Sequence, residues 1–165
     1  MRHVIRSLAV GLGLALVALS AQAVGTVQVS FVQPEQFADA GDARRDVQGN
    51  LGVLARHLES LAARLGAGQK LSIEVIDVDL AGELRPWRHA QQDLRVLRGA
   101  ADIPRIRLRY SLEEAGRASR SGEHVVVDAG YLQRFNRYPS GEALRYEKRM
   151  LDDWFSEQFA SAPAK

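Results

Sequence analysis

The sequence predicts an α+β domain, a mixed four-stranded sheet with two main helices packed on one face. Four segments alternate apolar and polar residues with a period of two, and two segments repeat apolar residues at helical spacing. Their order is strand, helix, strand, strand, strand, helix. A helix between the first two strands predicts a parallel pair with a right-handed crossover. The later strands are expected to be antiparallel.

The first strand is residues 26–32, with Val27, Val29 and Phe31 facing one way and Thr26, Gln28 and Ser30 the other. Pro34 to Gly41 reads as a loop, and Asp42 as the N-cap of the next element. Val47, Leu51, Leu54, Leu58, Leu61 and Leu65 then fall on one side of a helix, which Gly66 or Gly68 ends. Gly49 and Gly52 lie inside it; each costs about 1 kcal/mol relative to Ala, and close packing on the sheet is the reason to look for.

Residues 70–76 alternate again, with Leu71, Ile73 and Val75 inward. Residues 88–103 have no strong period, although Leu94 to Leu97 suits a short extra element. Residues 105–112 are the cleanest strand: Ile106, Leu108, Tyr110 and Leu112 alternate with Arg105, Arg107, Arg109 and Ser111. Glu114 to Arg117 has turn chemistry, and residues 119–128 return as a partner strand centred on Val125 and Val127. Tyr131, Leu132, Phe135 and Tyr138 form an aromatic connection. Ser140 is the expected cap of a last helix, 141–159, with Leu144, Leu151, Trp154 and Phe155 on one face. Lys148 with Asp152 and Arg149 with Asp153 are the expected i,i+4 pairs along it. The tail after Phe159 reads as frayed.

The N-terminus has the three zones of an export signal. Arg2, His3 and Arg6 precede the apolar run Leu8 to Leu19, and Ala21-Gln22-Ala23 offers a small-residue cleavage site. Twelve apolar residues fall short of the roughly 20 that a membrane span needs. The expectation is a signal peptide over 1–23 and one domain over 24–165, with an ordered core of about 25–159. The chain carries 22 basic and 20 acidic side chains; removing Arg2 and Arg6 leaves 20 of each. Global charge therefore points to neither nucleic acid nor acidic lipid. The absence of cysteine excludes disulfides, a thiol nucleophile and a lipoprotein anchor at the cleavage site. A soluble periplasmic protein is the expected product.

Three stretches carry a resemblance. They are Asp77-Val78-Asp79-Leu80-Ala81-Gly82-Glu83 running to Pro86-Trp87, then Pro104-Arg105-Ile106, then Leu144 to Phe155 (LRYEKRMLDDWF). Together they resemble the small exported bacterial proteins catalogued as domain of unknown function 3016. The resemblance covers the whole mature chain and is most specific in the last run. It implies an envelope location, and it supplies no catalytic or binding residue.

Several groups bear on chemistry. Asp77, Asp79 and Gly82 match positions one, three and six of a calcium loop, but Ala81 and Arg88 stand at positions five and twelve, where oxygen ligands are needed. Asp77 and Asp79 also suit a carboxylate pair for acid–base work, or a charged strand end that meets Arg85 and Arg88. His57, His89 and His124 have no metal-ligand spacing, and neither a serine-nucleophile elbow nor a phosphate-binding glycine loop is present. Trp87 reads as a stacking platform or as a pin for its loop. Arg105, Arg107 and Arg109 form a row on the polar side of their strand, suited to anions or to pairing with Glu74.

No catalytic, cofactor-binding or metal-binding residue is assigned. The candidate partner-binding surface is Arg105, Arg107 and Arg109 with Asp77, Asp79, Glu83 and Trp87. The reading is a non-enzymatic envelope module whose partner is an envelope protein or an anionic ligand. The alternative is a small periplasmic hydrolase using Asp77, Asp79 and Glu83.

Overall fold

Alternation becomes pairing in one sheet. The structure is a computed structural model that describes residues 24–85 and 94–159. Along the chain lie β1 (Thr26–Phe31), α1 (Arg44–Ser60), β2 (Lys70–Asp79), β3 (Glu83–Arg85), β4 (Leu94–Val96), β5 (Arg105–Glu113), β6 (Arg120–Val127) and α2 (Arg145–Phe159). The main sheet has the order β1-β2-β5-β6. β1 and β2 are parallel, joined through α1, while β2–β5 and β5–β6 are antiparallel. The α+β class and the four-stranded mixed sheet are as the sequence predicts. A small antiparallel β3–β4 ladder is added between β2 and β5; the sequence predicts only its second strand, as a short element.

One face of the sheet holds the core. Leu71, Ile73, Val75 and Val78 of β2 and Ile106, Leu108 and Leu112 of β5 are almost fully buried. They pack with Leu51, Leu54 and Leu58 of α1 and with Met150, Leu151, Trp154 and Phe155 of α2. The leucine stripe behaves as its spacing requires, but α1 stops at Ser60. Leu61–Arg64 continues as a 3-10 turn, with Leu61 and Leu65 still buried.

Local caps are where the expectations fail. Asp42 does not cap α1: Ala43 holds the N-cap position, and no side chain caps it. The last helix does not begin at 141 under Ser140. Leu144 takes a left-handed conformation, φ 52°, and the Leu144 carbonyl accepts the first helical bond from the Lys148 N–H. A bulky residue is uncommon in that region. Leu144 is held there by burial, being only 7% exposed.

Gly82, the residue that mimicked a calcium loop, has a conformational reason instead. It sits between β2 and β3 at φ +84°, and a β-carbon there would lie 2.6 Å from the Val96 carbonyl oxygen. Only glycine allows both the turn and the close approach of β4.

Candidate interaction face

The polar positions of the four strands form the uncovered face of the main sheet, opposite the helices. Cross-strand register aligns them in rows. One row is Gln28, Ser72, Ser111 and Ser121; the next is Ser30, Glu74, Arg109 and Glu123. Beyond these, Asp77 faces Arg107 and Asp79 faces Arg105. The arginine side chains are about half exposed, at 49%, 52% and 53% for Arg105, Arg107 and Arg109.

Asp77 and Asp79 reach this face through an irregularity. Strict alternation from Leu71, Ile73 and Val75 would turn Asp77 and Asp79 into the core. A bulge between Val75 and Asp77 inserts one residue and resets the phase. Val78 is then fully buried and both carboxylates emerge beside the arginines. These two residues belong to a strand, not to a loop.

Every arginine of the row has a carboxylate. Arg105 bonds Asp79 at 2.6 Å, and Arg107 bonds Glu123 at 2.7 Å. Arg109 reaches Glu123 at 3.1 Å and Glu74 at 3.6 Å. The hydrogen bonds from Arg107 and then Arg109 hold the Glu123 carboxyl below its ordinary pKa. Glu123 was missed as a member of the cluster. Its signal was present, because the turn at Glu114 to Arg117 brings β6 back alongside β5 and sets Glu123 opposite Arg109. Exposed pairs of this kind contribute little to stability, because water and salt screen them.

The remaining candidates separate. Asp77 accepts the Ala38 backbone N–H at 2.9 Å. Glu83 lies on β3 and bonds Arg98 at 2.5 Å. Trp87 and Arg88, like the expected signal segment 1–23, lie outside the described residues. The carboxyl that burial pushes up is Asp39, which none of the sequence patterns singled out. The three acids proposed for hydrolysis thus serve three different partners. Among the described residues, no group of three or more His, Asp or Glu side chains is placed to hold a metal ion.

A second charged cluster surrounds α2, and it is buried. Glu147 is fully buried, accepting the Ala81 N–H at 3.1 Å and pairing with Arg95. Arg149 pairs with buried Asp128 and donates to the carbonyls of Arg134 (2.9 Å) and Phe135 (3.0 Å). Asp152 receives Tyr138 Oη at 2.5 Å and lies 3.4 Å from His57 Nε2, with Arg64 and Arg137 beside it. Burial works to raise the Asp152 carboxyl, but the bonds from His57 and Tyr138 and the charge of Arg137 outweigh it and hold it low.

These partners replace the i,i+4 pairs expected on α2. Lys148 pairs with Glu142 and Asp153 with Arg134. The helix is covered on most sides, so its charges reach neighbouring segments, not each other. The twelve-residue run 144–155 is therefore a clamp that fixes three connections, at Ala81, at 128–138 and at α1.

The family described as Protein of unknown function (DUF3016) matches residues 25–157. The chain belongs to that family. No curated protein and no solved structure matches it. The DUF3016 match begins at the first strand and ends within α2, so it spans both the open face and the clamp. Among the described residues of this DUF3016 chain, no helix is long and apolar enough to cross a membrane.

Proposed function

We propose that this DUF3016 protein is a non-enzymatic periplasmic module that captures an envelope protein on the open face of its sheet. The observation that supports this reading is the face itself. It is four strands wide, uncovered by either helix, and rowed with arginines and carboxylates in register. Because each arginine already has a carboxylate, a free anion must compete with Asp79, Glu74 and Glu123 for it. A protein surface that offers both signs of charge exchanges those pairs without leaving a charge unmatched. This favours a protein partner over a small anion.

The test is crosslinking in intact cells, with wild type beside the variant R105Q/R107Q/R109Q. The exported protein is expected to begin at Val24. The variant is expected to keep its fold, since all three side chains are about half exposed, and to lose most of its partner yield. The same partners at the same yield would sink the reading.

A further inference from the structure

We infer that the free edge of β6 pairs with the β6 of a second copy, joining two four-stranded sheets into one eight-stranded sheet. Exposed apolar side chains lie on this strand and in the segment that follows it. Among the described residues, six large apolar side chains are exposed, and four of them are Val125, Val127, Leu132 and Phe135. Phe135 is 89% exposed, and its own carbonyl is fixed by buried Arg149, so the ring is held outward by a rigid support. Beside the strand runs a groove of about 290 Å³ between β6 and α2, lined by Val126, Met150 and Trp154 and ending at Arg134, next to Phe135.

The backbone of β6 is set for pairing. The Asp128 N–H donates to the Pro104 carbonyl. Antiparallel ladders alternate, so Val126, His124 and Gly122 bond β5, while Ser121, Glu123, Val125 and Val127 direct their N–H and C=O groups away from it. Among the described residues, no hydrogen bond reaches those groups from the far side. Edge strands in soluble proteins carry Lys, Pro or a bulge to prevent such pairing. β6 has no Pro, Lys or bulge, and its charged side chains, Arg120 and Glu123, precede the stretch Val125 to Val127.

The edge is also complementary to itself. In a two-fold antiparallel arrangement centred on Val126, Val125 lies opposite Val127 of the second copy, and the reverse. Both valine pairs are then covered, and Glu123 lies past the end of the second copy's strand, away from a second carboxylate. Centring on Glu123 would place two Glu123 carboxylates together, and centring on His124 or Val125 would bury Glu123 against a valine. The first register matches apolar to apolar, which makes a second copy a fitting partner strand. Since Val125 and Val127 lie on the arginine side, the dimer continues the open face across both copies.

The chain has no cysteine, so the register is testable directly. Purified protein is expected to sediment as a dimer at micromolar concentration. V125K/V127K is expected to be monomeric with an unchanged circular dichroism spectrum and thermal midpoint. A mixture of V125C and V127C, oxidised, should crosslink between the two variants, while either alone crosslinks poorly because equivalent residues are one diagonal apart. A monomeric wild type at high micromolar concentration, or a double-lysine variant that stays dimeric, overturns the inference. R105Q/R107Q/R109Q is expected to remain a dimer, which separates this test from that of partner capture.

Discussion

Gly49 lies on the exposed side of α1, and a β-carbon built there meets nothing within 4 Å. The close packing sought for it does not exist, and nothing else in the structure explains the glycine. Gly49→Ala is accordingly expected to raise stability by about 0.5–1 kcal/mol, as an exposed helix interior gains the propensity of alanine. Urea denaturation measures this, and a loss of stability would contradict it. Gly82 is the opposite case, where φ +84° and the nearby Val96 carbonyl leave no room for a side chain. Two glycines that look alike in sequence differ because one faces solvent and the other faces a strand. The same holds for the carboxylates: Asp152 is held low by His57 and Tyr138, whereas burial pushes Asp39 up.

At the scale of elements, α2 and β2 depart most from simple periodicity. The apolar face of α2 was legible from Leu151, Trp154 and Phe155, but its charges pointed elsewhere than expected. An i,i+4 pair is worth only a few tenths of a kcal/mol. A carboxylate already buried, such as Asp128, makes a far stronger demand for a partner. Arg149 meets that demand and also ties down the 134–135 carbonyls. Arg149→Met leaves Asp128 buried with the Gly130 N–H at 3.1 Å and, among the described cations, Arg134 at 3.7 Å. A loss of about 3–5 kcal/mol is expected in chemical denaturation, with faster hydrogen exchange over 128–138. A loss under 1 kcal/mol would mean the clamp is not holding that loop. In β2 the bulge decides everything beyond Val75, since a one-residue offset exchanges the two faces of a strand.

For the whole molecule, the pH dependence of stability follows from carboxyls that the fold holds low. Asp152, Glu123 and Glu142 all have folded pKa values below their ordinary ones. A depressed carboxyl contributes stability that is present above its unfolded pKa and is lost as pH falls through its folded value. Asp39, raised by burial, works in the other direction, favouring the fold at low pH. Stability is expected to fall as pH drops from about 5 to 2, because three depressed groups oppose one raised group. Asp152→Asn is expected to lower stability at neutral pH by about 1–3 kcal/mol and to flatten that decline. A thermal midpoint with the same pH slope in both proteins would contradict the assignment. Legible along the chain is the periodic part: the strands, the leucine stripe, the layer order and the polar row at Arg105 to Arg109. These follow from neighbours along the chain, because a side chain's face is set by the repeat of its own element. Tertiary structure alone decided the phase of β2 after Val75, the entry to α2 at Leu144 and the partners of Glu147, Arg149 and Asp152. Those depend on groups brought close only by folding, where burial without a partner costs more than any local preference supplies.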